Sequence, residues 1–436
     1  MPANPSPLQS LRDELASSTT ASSTTAFRFA ANANSNESRN TYITLYETES
    51  LHRAEQLPHL FPDAQNRPPL YGVPISIKDC FDVAGTVTSC GSRFYAQHNS
   101  VATKNSWVAQ RLLDAGAILT GKTHLHQLAY GITGESADYG DCVQPRDATL
   151  LTGGSSSGAA ASVQEGSALV AIGTDTGGSV RVPSALCGLV GYRTSHGISR
   201  GEERWAGAYH LAQTFDTIGI LFRVLQDAPA LANAIFDITP VPPPTAIRIG
   251  YVSDVFLHDC EPEVLLAYEA WKQHLAEHGA QLAPFDTTFW SDSPAIYSPI
   301  VASEAAIIHR GHFQQFEPVI AERLASGATI PTAELQNLHE RLQSFRVQIS
   351  ALFQQFDFLI APCAPFSKLR VGHDHTASRK AILRYTTPAS LAGLPAVTLP
   401  GEYIGAALGT GAQLLAAPMQ DASLLAFASA LSPKQR

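Results

Sequence analysis

Short apolar runs, each bounded by glycine, proline or a charged side chain, recur along this chain, and helical patterns fill the intervals between them. Residues 71–78 read YGVPISIK and end on Lys78; a helical pattern from Trp107 to Ala115 stops at Gly116 and gives way to AILTGK. ALVAI at 168–172 runs directly into GTDTGGS. After the stiff connector Val241-Pro-Pro-Pro come IRIGYV at 247–252, a helix from about Pro262 with Val264, Tyr268, Trp271 and Leu275 on one face, its stop at Gly279, and QLAPF. An amphipathic region at 333–355 precedes FDFLIAP at 356–362, and a last strand and helix follow, with Asp421 placed to N-cap ASLLAFASAL. Strands that alternate with helices in this way imply a layered α/β fold around a parallel or mixed sheet.

The chain has 436 residues, 44% of them hydrophobic, enough to bury a sizeable core. Its net charge of -9 is spread without long like-charge runs, which argues against nucleic acid as a partner. No apolar run approaches the ~20 residues that span a bilayer, and no basic segment followed by an apolar one opens the chain. The expectation is a cytoplasmic protein that engages no membrane. Six cysteines without CxxC spacing suggest neither a disulfide framework nor a zinc site, and the His124/His126 and His373/His375 pairs lack a third ligand at metal-site spacing.

Residues 1–40 hold the Ser/Thr-rich ASSTTASSTTA and the Asn/Ser-rich ANANSNESRN, compositions expected of a flexible N-terminal segment ahead of a single domain at 41–436. Within that domain three pieces stand out. Lys78 closes an apolar strand, Gly153-Gly-Ser-Ser-Ser-Gly158 opens an alanine-rich helix, and Ser179 follows Gly177 and Gly178. Taken singly, each has a bland reading: a solvated lysine, a flexible loop or anion-binding helix start, a tight turn.

Together the pieces resemble the amidase-signature family of serine hydrolases. The resemblance rests on GVPISIKD, then GGSSSGAAASV, then GTDTGGSVRVPSALCGLVGYRTSHG, in that order and spacing. GKTHLHQLAYGITGESADYG, AQTFDTIG at 212–219, FDFLIAPCAP and YTTPASLAGLPAVTLP extend it over roughly residues 40–431, with the catalytic core at about 70–220. It implies a central twisted mixed β-sheet covered by helices on both faces. It also implies a catalytic triad of Lys78 as base, Ser155 as bridging serine after a cis peptide bond, and Ser179 as nucleophile.

A serine hydroxyl needs a neighbouring base, and lysine serves as one when burial lowers its pKa. A buried Lys78 free of carboxylate meets that condition, whereas a salt bridge to Asp79 would oppose it. The glycines would let the N–H groups of Thr176, Gly177, Gly178 and Ser179 converge on an oxyanion hole. Ser156, Asp175 and Arg181 read as scaffolding, Arg181 in a buried ion pair or on backbone carbonyls. By resemblance Gly131 and Ile132 bind substrate and Tyr385 either lines the pocket or packs in the core; Trp205 and Tyr209 read as a pocket wall or as packed aromatics.

The implied activity is hydrolysis of a small-molecule carboxamide with no cofactor and no metal, in a possible homodimer. LAYGITGES and GYRTSHG are similar to relatives that act on arylacetamides such as indole-3-acetamide; the C-terminal motif is closer to general bacterial amidases and amidotransferase subunits. A glutaminase subunit of a tRNA-dependent amidotransferase and a non-catalytic receptor are the alternative roles. The loop departs from the more usual GGSSGG, and Gln144-Pro145 stands where Asn-Pro is usual; neither touches the triad.

Overall fold

Apolar β-branched runs set the sheet. A computed structural model describes residues 5–17, 21–34, 39–253 and 255–431. The strands are β1 (Tyr42–Leu45), β2 (Pro74–Lys78), β3 (Ile118–Thr123), β4 (Val143–Gln144), β5 (Asp147–Leu151), β6 (Val170–Asp175) and β7 (Val190–Arg193). There follow β8 (Thr217–Phe222), β9 (Arg248–Tyr251), β10 (Gln281–Pro284), β11 (Phe358–Pro362), β12 (Ala396–Leu399) and β13 (Ala412–Ala416). Eleven of them form one mixed sheet in the order β1-β3-β2-β6-β8-β7-β12-β13-β11-β9-β10, flanked by helices, while β4 and β5 pair separately. This is the layered mixed-sheet fold the sequence implies.

Strands β3, β2 and β6 run parallel, and so do β10, β9 and β11, with antiparallel strands between the two sets. Residues of β2, β3, β6 and β8 are buried throughout, as expected of strands covered on both faces. The register Ile77↔Ile172 brings the carboxyl ends of β2 and β6 to the same edge. Open α/β sheets bind ligands at such an edge.

Two sequence expectations change. Residues 1–40 do not read as a flexible segment where they are described: Pro7–Ser17 forms α1 and Ala21–Asn34 forms α2. Composition misleads here because spacing decides. Leu8, Leu11 and Leu15 recur at helical intervals and are 2%, 4% and 2% exposed, and Ala26, Phe29, Ala30 and Ala33 repeat the stripe on α2. The serines and threonines of α2 do not all face water, since Ser22 and Thr25 are buried as well. Residues 1–4, 18–20 and 35–38 of that segment lie outside the described residues.

Asp421 is not an N-cap. It is the first residue of the helix Asp421–Ala430, whose cap position is Gln420. Its carboxylate instead accepts hydrogen bonds from Tyr192 Oη at 2.6 Å, from Ser195 N at 2.8 Å and from the Ser195 hydroxyl, which ties the last helix to the end of β7. Among the described residues no helix is long and apolar enough to cross a membrane.

Candidate active site

Lys78 is the last residue of β2 and is fully buried. Its ammonium lies 2.8 Å from Ser155 Oγ and 2.8 Å from Thr174 Oγ1, the latter near the end of β6. The neighbouring carboxylate is spoken for elsewhere, because Asp79 pairs with Lys122 at 2.5 Å. Among the described residues Lys78 therefore has no acidic partner, the condition its use as a base requires. Burial pushes its pKa down to about 8.

Ser155 and Ser156 lead into the helix Ser157–Glu165. That helix packs closely on β2 and on the end of β3. Ser162 Oγ bonds Ser76 Oγ at 2.8 Å, and a Cβ on Gly158 would come within 2.5 Å of His124 N, the residue after β3. The Gly154–Ser155 peptide is cis, as the family resemblance implies. Ser156 N donates to Ser179 O at 3.2 Å, so the serine-rich loop and the segment after β6 are tied together directly.

The 174–181 segment is held by one carboxylate. Asp175 accepts from Gly178 N at 2.9 Å and Val180 N at 3.2 Å, and its oxygens lie 2.9 Å from both Arg181 Nη2 and Arg193 Nη1. Burial alone would push this carboxyl up, but the Arg181 and Arg193 guanidiniums hold it well below the usual carboxylate range. Arg181 also donates to Thr386 O at 2.9 Å, which makes it the buried structural arginine the sequence suggests.

The oxyanion expectation needs one correction. The N–H of Gly178 is consumed by Asp175, leaving Thr176, Gly177 and Ser179 as the candidate donors. Gly178 has φ +121°, a conformation side chains rarely adopt, and supplies the turn. Gly177 is there for space, since a Cβ would stand 2.3 Å from Tyr297 Oη.

Ser179 and Gly177 open onto a cavity of about 20 Å³ together with Tyr130, Gly131, Ile132, Leu211, Tyr297 and Arg379. Gly131 and Ile132 thus stand where a substrate-binding role would put them. Tyr385 does not: it is 1% exposed, bonds Asp259 and packs edge-on against Phe256. Trp205 stacks between Phe81 and His210, and neither it nor Tyr209 reaches this cavity. The aromatic walls are Tyr130 and Tyr297, which the sequence reading missed. Tyr130 carries a signal, its place directly before Gly131; Tyr297, in the helix Ser293–Ile308, carries none.

The sequence profile of the family described as Amidase matches residues 24–425. The chain is 30% identical to a glutamyl-tRNA(Gln) amidotransferase subunit of Synechococcus sp. (strain RCC307), over 89% of this chain and 88% of that protein. It is 31% identical to 2-amino-5-chloromuconic acid deaminase of Comamonas testosteroni, over 89% and 87% respectively. A crystal structure of an amidase matches with a TM-score of 0.86 at 27% identity, covering 96% of this chain and 97% of that one. Motif order, sheet topology and these likenesses converge, and the chain belongs to the amidase-signature family, enzymes that act on amide C–N bonds.

Proposed function

We propose that the chain hydrolyses a carboxamide through an acyl-enzyme on Ser179. The observation that carries this reading is the buried Lys78 ammonium, 2.8 Å from Ser155 Oγ with no carboxylate beside it. In its neutral form the Lys78 amine accepts the Ser155 proton while Ser155 Oγ accepts that of Ser179. Ser179 Oγ then bonds to the amide carbon, and the carbonyl oxygen takes the negative charge. The N–H groups of Thr176, Gly177 and Ser179 stabilise it, each such donor being worth roughly 3 kcal/mol of barrier.

The proton returns through Ser155 to the leaving nitrogen, the C–N bond breaks, and ammonia or an amine departs. Water attacks the ester by the same proton route and releases the carboxylate. Apart from the amide and one water, each step uses side chains and backbone of this chain. Because Lys78 must be neutral to start the cycle, kcat/KM is expected to rise with pH through about 8 and level off above it. Initial rates between pH 6 and 10 check this; a profile flat across that range would remove Lys78 as the base.

A second reading has a specific observation behind it. The likeness to an amidotransferase subunit covers nearly the whole chain, so a glutaminase working only within a complex fits the same chemistry. Ammonia release by the isolated chain from acetamide, phenylacetamide, indole-3-acetamide and glutamine, with Ser179→Ala as the blank, separates the two. We expect turnover of at least one amide, abolished in the variant, and labelling of Ser179 by a fluorophosphonate. Labelling without turnover would favour the partner-dependent role; absence of both would favour a non-catalytic relative.

A further inference from the structure

The cavity at Ser179 contains a cation that the proposed chemistry does not use. Arg379, on the helix Thr376–Ala392, lines it opposite the catalytic segment and is half-buried. Among the described residues its guanidinium has no hydrogen-bond or ion-pair partner. Arg323 stands close by, its Nη1 donating to Tyr130 O at 2.9 Å. Burial and then the repulsion of Arg379 push the Arg323 guanidinium down to about 10.

Tyr130, Arg379 and Leu383 also line an outer cavity of about 970 Å³, together with the cations Arg323, Lys380 and Arg384 and the acids Asp259 and Glu322. The acids nearby offset the outer cations in part: Asp259 pairs with Arg384, and Glu322 and Glu135 act on Arg323, but none of them lines the inner cavity beside Arg379. The chain as a whole carries a net charge of -9, so a cationic lining at this one place runs against its general balance. The Arg379 and Arg323 guanidiniums repel one another, and a bound anion lessens that repulsion.

We infer that the substrate is the monoamide of a short dicarboxylic acid, its carboxylate received by Arg379 while its amide carbon meets Ser179. This rests on the reading of Ser179 as nucleophile. Ser179 and Arg379 border the same small space of about 20 Å³, so a molecule that reaches both carries its amide and carboxylate close together, and the wall yields to admit it. The bare inner wall also selects against a free ammonium. No acidic side chain lines the inner cavity, so an amino acid amide such as glutamine would set its ammonium beside cations. Neutral arylacetamides would leave Arg379 desolvated and unpaired.

The test compares malonamate, succinamate and glutaramate with propanamide, butanamide, pentanamide and glutamine on the full chain. The best acidic amide is expected to exceed its neutral partner by about 100-fold in kcat/KM, the scale of a charge-assisted bidentate contact. Arg379→Gln should collapse that ratio towards one, with Arg379→Lys between. A readout free of turnover uses the product dianions: malonate, succinate or glutarate should slow fluorophosphonate labelling of Ser179 in the parent, and not in Arg379→Gln. Labelling of Ser179 with equal or better turnover of neutral amides or glutamine, and no protection by any dianion, would overturn the inference while leaving the acyl-enzyme reading intact. An unreactive Ser179 with no amide turned over would overturn both. If Arg379→Gln does not fold, the substrate ratio and dianion protection in the parent still decide.

Discussion

Lys78→Met is expected to abolish amide hydrolysis, by about 10³-fold or more, without weakening the fold. Most removals of a buried charged side chain destabilise because they strand a partner of opposite sign; Lys78 has none, since Asp79 is paired with Lys122. Methionine is nearly isosteric and apolar, and it leaves two hydroxyls, Ser155 and Thr174, to find other partners. Against that loss stands the burden of keeping an ammonium buried. A pKa near 8 in the fold, against the ordinary 10.5, amounts to about 3 kcal/mol at pH 7.

The sign with pH follows. Between about 8 and 10.5 the unfolded chain holds a proton at this lysine that the folded chain has released, so parent stability rises with pH across that window. Any advantage of Lys78→Met should therefore be largest below pH 8 and shrink towards pH 10. Urea midpoints at pH 7 and pH 10, beside the rates, check both halves. A variant that loses activity and stability together would make Lys78 a structural residue.

Asp175→Asn should have the opposite profile, with a large loss of stability of about 3–5 kcal/mol. The carboxylate is the one anion between two fully buried guanidiniums, Arg181 and Arg193. Asparagine keeps the size but not the charge, and leaves both cations uncompensated in the interior. Because total stabilities are only about 5–15 kcal/mol, the change should be plain in thermal unfolding or in soluble yield. The same carboxylate holds Gly178 and Val180 on either side of Ser179, so fluorophosphonate labelling should slow as well. A variant as stable as its parent would show that the ion cluster contributes nothing net.

How much of this was legible in the sequence varies by the kind of signal. Strands with unbroken apolar runs were readable to within a few residues: 71–78 contains Pro74–Lys78, and AILTGK overlaps Ile118–Thr123. The helices begun at Trp107 and Pro262 start where their patterns start. Lys78 and the two serines were named through the resemblance that GVPISIKD, GGSSSGAAASV and GTDTGGSV carry to the amidase-signature family, since taken singly each piece has a bland reading. The N-terminal helices were obscured because a Ser/Thr-rich tract hid a leucine stripe. Gly178 looked like an oxyanion donor because no local pattern shows which acceptor claims an N–H. Tyr297 and Arg379 meet Ser179 only through tertiary packing, and nothing in the residues next to them announces it.

Lys78, Ser155 and Ser179 all come from the stretch that builds β2 to β6 and the turn after it, whereas Tyr297 and Arg379 come from helices that follow β10 and β11 in the chain. Under the proposed reading the reacting groups share one length of polypeptide with part of the cavity wall, Tyr130 to Ile132, while the facing part of the wall is supplied from another. Redesign can exploit that facing wall at Tyr297 and Arg379, but not along the whole of their helices, because Thr386 donates to Gly177 O at 2.6 Å and braces the segment that carries Ser179.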